Sequence, residues 1–203
     1  MAMILIERGV LPAQGQIING GFESPDVATF LALPAGDTTL APWVIGDVGI
    51  DLADINNGFI VGAAAQGTQY IDMDGTPGPG ILSQKFPTTA GSSYKLVFAY
   101  ANNYVNTTNA QANVRVYATM GDLLGPTLIT HSTSVSGNLD WTYFTGTFQA
   151  NDTSATLEFD SLGSPGSQGG ILIDAVQVTL IPEPGTLVLM FCLIGPALLP
   201  RRF

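Results

Sequence analysis

Tyr94-Lys-Leu-Val-Phe-Ala-Tyr100 sets the fold class. Tyr94, Leu96, Phe98 and Tyr100 fall on one side of an extended chain and Lys95, Val97 and Ala99 on the other, the period-two pattern of a half-buried β-strand. The same alternation recurs on both sides of this stretch. Upstream it covers residues 68–73 and 81–86. Downstream it places Val114, Val116 and Ala118 together over 113–118, and sets Phe144 and Phe148 against Trp141, Tyr143 and Thr145 over 141–148. It aligns Leu157 with Phe159 over 155–161 and closes with 171–180. Gly-, Pro- and Ser-rich separators lie between, at 74–80, 90–93 and 162–169. Many short strands with this punctuation predict an all-β, two-sheet jelly-roll sandwich over residues 16–180.

Composition agrees. Only 11% of the 203 residues are charged, against about a quarter in an average soluble domain, while Gly (24) and Pro (13) are plentiful. Turn formers in excess of helix formers suit strands and turns. A 46% apolar content excludes a disordered chain, which needs low hydrophobicity and high charge. The length allows one domain and a terminal appendage.

Between residues 16 and 181 only Lys85, Lys95 and Arg115 stand against 14 carboxylates. Such a surface repels phosphate backbones, which argues against a nucleic-acid partner and leaves divalent cations and neutral polymers as better-matched ligands. The only cysteine, Cys192, lies outside this body, so no disulfide staples it.

The C-terminal stretch reads Ile181-Pro-Glu-Pro-Gly-Thr186, then an uncharged apolar run from Leu187 to Leu199, then Pro200-Arg201-Arg202-Phe203. Thirteen apolar residues are short for a bilayer span, but terminal arginines hold that end in the cytoplasm and leave the preceding domain on the far side. Pro182, Glu183 and Pro184, the apolar run and the pair Arg201 and Arg202 together resemble the PEP-CTERM sorting signal of exopolysaccharide-producing Gram-negative bacteria. That resemblance implies a short transmembrane helix over 187–199, tethering to the inner membrane, and an exosortase as processing partner. At the other end, residues 1–15 are expected to be a truncated signal peptide. Met1 to Ile6 is apolar, Glu7-Arg8 interrupts it, and Ala13-Gln14-Gly15 has the small-x-small form of a cleavage site.

A second resemblance covers the body. Ile17-Ile-Asn-Gly-Gly-Phe-Glu23 is followed in order by Trp43, Gly49-Ile50-Asp51, Gly67-Thr-Gln-Tyr-Ile-Asp72, Ile81-Leu-Ser-Gln-Lys-Phe86, Ala90-Gly-Ser-Ser-Tyr94, Trp141 and Ile173-Asp174-Ala-Val176. This series is similar to DUF642-like and choice-of-anchor domains. The resemblance implies a galactose-binding-like β-sandwich related to carbohydrate-binding modules. It also implies that Glu23 and Asp174, near the two ends of the domain, contribute to a structural Ca²⁺ site. Calcium needs six to eight oxygens, so these two would be part of a shell; the alternative is a pair fixing strand-end hydrogen bonds.

The remaining candidates are few. Asp72 and Asp74, two residues apart, could form an acid–base pair, but Asp74-Gly75 is also a good turn opener, and the turn is the favoured reading. His131, the only histidine, has no Gly-x-Ser-x-Gly elbow to serve, and an ordinary strand or surface place is expected for it. Sugar C–H faces stack on aromatic rings, and Tyr104, exposed in Asn102-Asn-Tyr-Val-Asn-Thr-Thr108, is the candidate for that role, although simple packing within its loop is the favoured reading. Tyr117 and Tyr143 come next; Trp43 and Trp141 are assigned to the core. The sequence therefore points to a non-catalytic, exported surface or matrix protein that binds a polysaccharide. A purely structural surface protein is the alternative, and a secreted hydrolase a weaker third reading.

Overall fold

A computed structural model describes residues 16–76 and 78–183. The expected signal segment 1–15, Pro184, the apolar run 187–199 and the arginine pair lie outside the described residues. Among the described residues no helix is long and apolar enough to cross a membrane.

Twelve strands follow one another: β1 (Phe30–Pro34), β2 (Val44–Asp47), β3 (Gly49–Asp54), β4 (Gln69–Asp72), β5 (Asp74–Gly75), β6 (Gly78–Pro87), β7 (Ser93–Asn102), β8 (Ala110–Ala118), β9 (Gly121–His131), β10 (Thr142–Gln149), β11 (Ser154–Ser161) and β12 (Ile171–Ile181). They form two antiparallel sheets. One runs β1-β3-β4-β12-β7-β10; the other runs β2-β6-β11-β8-β9, with β5 also paired to β6. From β6 onward the chain changes sheet at almost every turn, so consecutive strands face each other across the core, as in a jelly roll.

Every strand marked by alternation is present, and its faces point as the period requires except in β12, where a bulge between Asp174 and Gln177 moves the core-facing set from Ile171 and Ile173 to Val176 and Val178. Tyr94, Leu96, Phe98, Val114, Val116, Leu157 and Phe159 are buried between the sheets. At the centre Phe98 stacks on Phe144 and meets Phe159 edge-on, each at 4.9 Å between ring centroids. A sandwich whose two inner faces interdigitate in this way supplies most of its stability by apolar burial.

The strands without clean alternation are β1, β2, β3 and β9. β9 contains Gly125-Pro126, yet it is the edge strand of its sheet, where a missing N–H costs no ladder bond. Asp74-Gly75, expected to open a turn, leads into one at Thr76 as the short strand β5, pairing Asp74 with Pro79 and Gly75 with Gly78.

The opening segment ties the two sheets together. Gln84 on β6 exchanges two hydrogen bonds with the backbone of Ile18, at 2.8 and 2.9 Å, while Gln16 N–H and Gly20 C=O bond to Val178 and Val176 of β12. Gly20 is required here, because a Cβ would run into the Val176 carbonyl. Trp43, buried as expected, donates its indole N–H to Asn19 C=O at 3.0 Å.

A second, smaller apolar cluster lies on the outer face of the first sheet. Ala53, Tyr70, Ala101 and Leu172 alternate with core residues such as Leu52 and Ile71, so they point away from the sandwich interior. Loop residues Ile60, Leu139 and the half-buried Trp141 cover them.

Candidate functional site

The 14-residue connection between β3 and β4 folds over that outer face and leaves a cleft of about 330 Å³ beside the second cluster, in the size range of small-ligand sites. Its position follows from local chemistry. Asn57 is buried and its amide pins the loop: Nδ2 donates to Asp54 C=O, Ile60 C=O and Tyr70 Oη, and Oδ1 accepts from the N–H groups of Phe59 and Ile60. With the loop so fixed, Phe59 is left 66% exposed, edge-on to the 43% exposed Phe30 at 5.8 Å. Both rings line the cleft.

The floor is polar. Asp51 and Asp72 are directly paired across β3 and β4 and both line the cleft. Asp51 accepts from Thr76 N–H and Oγ1–H, at 3.0 and 3.2 Å, and burial raises its pKa against those bonds. Asp72 is buried and accepts from Asn103 Nδ2–H (2.8 Å), Gly170 N–H (3.0 Å) and Asp74 N–H (3.1 Å). Burial nevertheless pushes its pKa to about 7, the hydrogen bonds opposing. Asn106 and Gln168 complete the rim, joined by a 2.8 Å bond from Asn106 Nδ2–H to Gln168 C=O.

Past Asn106 a second cavity of about 200 Å³ opens among the loops after β7 and β11, with Asp74 at its base. The buried Asp74 carboxylate accepts from the hydroxyls of Ser161 and Ser167. It is thus a fixed internal acceptor at the start of the turn expected from the sequence.

Tyr104 packs within its loop, the favoured reading, and is not the exposed stacking ring. It is half-buried against the second cluster, and its Oη accepts Val61 N–H at 2.9 Å. It braces the loop that carries Phe59 and does not line the cleft. Tyr143 is 58% exposed on edge strand β10, and Tyr117 lies on the opposite sheet with the Arg115 guanidinium 4.6 Å over its ring. Phe30 and Phe59 were missed. The available signal was Asn56-Asn57-Gly58 ahead of Phe59, a turn sequence presenting an aromatic.

Glu23 and Asp174 do meet on one segment. Glu23 is exposed, and its Oε1 accepts the N–H groups of Thr68 and Gln69, both at 3.0 Å. Asp174 is fully buried at a bulge of β12 and accepts from Gln66 N–H (2.8 Å) and Ala175 N–H (2.5 Å). Burial first, with Glu23 nearby adding to it, raises Asp174 to about 7. The oxygen donors suit a hard cation, but two carboxylates alone fall short of a calcium shell. Among the described residues no group of three or more His, Cys, Asp or Glu gathers as a metal site.

His131 ends β9 and is buried, its Nδ1 2.8 Å from Asn102 Oδ1 and its Nε2 2.9 Å from Asp140 C=O. Asn102 ends β7 and Asp140 lies in the connection from β9 to β10, so the ring ties strand to loop. Pro182 and Glu183, of the motif expected to direct sorting, are exposed immediately after β12.

An antiparallel sandwich carrying an aromatic-walled cleft with a polar floor has the form of a small-ligand-binding module. The chain belongs to the family described as Protein of unknown function (DUF642), whose model matches residues 15–179. It is 28% identical over 172 residues to Halomucin of Haloquadratum walsbyi, covering 82% of this chain but only 2% of that protein. Among solved structures it is similar to TmCBM61 in complex with β-1,4-galactotriose, with a TM-score of 0.54, 15% identity, and coverage of 83% of this chain and 100% of that one. It also matches a CBM4 structure with a TM-score of 0.45 and 19% identity, over 81% of this chain and 99% of that one.

Proposed function

We propose that this protein is a non-catalytic carbohydrate-binding module that acts outside the cell. The observation that carries the reading is the exposed Phe30–Phe59 pair above a floor of carboxylates and amides. Rings stack on sugar C–H faces while acceptors and amides take the hydroxyls. The galactotriose complex of the structurally similar TmCBM61 supports the ligand class. The decisive experiment is retention of the protein on a panel of immobilised polysaccharides, wild type beside Phe59→Ala. Because Phe59 is exposed, its loss leaves the fold intact and lowers affinity at least about tenfold, or ~1.4 kcal/mol. Retention that ignores Phe59→Ala would move the ligand elsewhere. No retention on any polysaccharide would favour a purely structural surface protein.

The module is sorted by its tail in this reading. Pro182-Glu183-Pro184, the apolar run and Arg201-Arg202 hold an exported precursor in the inner membrane until an exosortase cuts near the motif, leaving the sandwich at the cell surface or in the extracellular matrix. Exposure of Pro182 and Glu183 directly after β12 suits access by such an enzyme. Cell fractionation with intact-mass measurement tests it: a species outside the inner membrane lacking the residues beyond the motif is expected, and an intact cytosolic chain would overturn it. Calcium belongs to the proposal as a structural ion, with Glu23 and Asp174 supplying two of its oxygens.

A further inference from the structure

We infer that the Phe30–Phe59 cleft selects positively charged amino-sugar units over neutral sugars and rejects uronic or sulfated ones. This deepens the carbohydrate-binding reading and rests on it. The cleft's ionisable side chains are Asp51 and Asp72, set opposite each other in register. No Lys, Arg or His lines it. The three cations of the described residues are committed elsewhere: Arg115 pairs with Glu158 on the other sheet at 2.7 Å, Lys85 borders a separate cavity beside Tyr117, and Lys95 lies across from Thr147 and Thr179.

Two carboxylates facing each other across a strand pair repel, and no fixed cation in the cleft offsets them. A ligand ammonium at Asp51 does so and makes charge-assisted hydrogen bonds to it, stronger than those of a hydroxyl. Free lone pairs lie on Asp51, which spends two of about four acceptor positions on Thr76, whereas the buried Asp72 already accepts three hydrogen bonds. The aromatic walls favour the same ligand, because a cation is attracted to a ring face while the sugar's C–H groups stack. An anionic sugar finds no cation there and meets both carboxylates.

The test compares three oligosaccharides of equal length by calorimetry at pH 7 and 0.15 M salt: β-1,4-glucosamine, β-1,4-N-acetylglucosamine and galacturonate. At that salt, acids more than about 8 Å away are largely screened. The glucosamine oligomer is expected to bind at least about tenfold more tightly than its N-acetylated counterpart, with the uronate weakest. Asp51→Asn, which keeps an acceptor for Thr76, should shrink that preference to within about threefold. Asp122→Asn, on the exposed start of β9, should leave it unchanged; equal loss in both variants would mean general attraction of a polycation and would overturn the inference. A glucosamine oligomer bound no better than the N-acetylated one overturns the charge selectivity, yet neutral binding lost in Phe59→Ala would keep the cleft as the glycan site. Failure of all three ligands to bind, with no effect of Phe59→Ala, sinks both.

Discussion

Asp51 and Asp72 stand directly opposite each other on β3 and β4, on the face turned away from the main core. Burial dominates the titration of Asp72 and of Asp174, both raised to about 7. The folded state therefore holds protons that the unfolded chain releases from about pH 4 upward, so stability falls as pH rises from about 4 through 7. In chelator, the melting temperature should be several degrees higher at pH 5 than at pH 8, and Asp72→Asn should flatten the slope. A melting temperature that climbs over this range would refute the assignment.

Calcium gives a separable prediction. Added Ca²⁺ at neutral pH should raise the melting temperature, chelator should reverse the rise, and Glu23→Gln should abolish it. A bound ion would also hold Asp174 ionised and reduce the pH slope. Melting indifferent to both Ca²⁺ and chelator would leave Glu23 and Asp174 as anchors for the backbone of residues 65–69.

The ring cluster at the centre of the sandwich sets the scale for core changes. Phe98→Ala removes contacts to Phe144, Phe159 and Tyr100 together and should cost about 4 kcal/mol in urea unfolding. Tyr143→Ala, on the exposed side of the adjacent strand, should cost less than about 1 kcal/mol. Similar costs for the two would contradict the facing described.

Tyr104→Phe separates bracing from binding. The variant keeps the ring but leaves Val61 N–H without its acceptor, for a stability loss of about 1 kcal/mol. Oligosaccharide affinity should change by less than about threefold. A loss as large as that of Phe59→Ala would place Tyr104 in contact with the ligand.

The fold was legible where long strands alternate buried with more open positions, as in β8 and β11. It was not legible in β3, whose outward residues Asp51 and Ala53 sit under a loop, so that burial on both faces blurs the alternation. In β9 the Gly125-Pro126 pair reads as a turn although the strand runs through it. The cleft was hidden for a different reason. Its residues come from positions 30, 51, 59, 72, 103, 106 and 168, and no local window holds more than a few of them. Tyr104 and Phe59 carry the same local signal, an aromatic after Asn-rich turn residues. Only the hydroxyl of Tyr104, bonded across the gap to Val61, distinguishes the brace from the exposed wall.

β12 lies in the middle of its sheet, between β4 and β7, and also hydrogen-bonds to the opening segment through Val176 and Val178. Tension applied at Pro182 is therefore delivered to an interior strand. Extracting that strand means rupturing three sets of backbone bonds and uncovering Ile171, Ile173, Val176 and Val178. Force entering the domain at this end would therefore meet a strand bonded on both edges, and the sandwich would resist unravelling from Pro182.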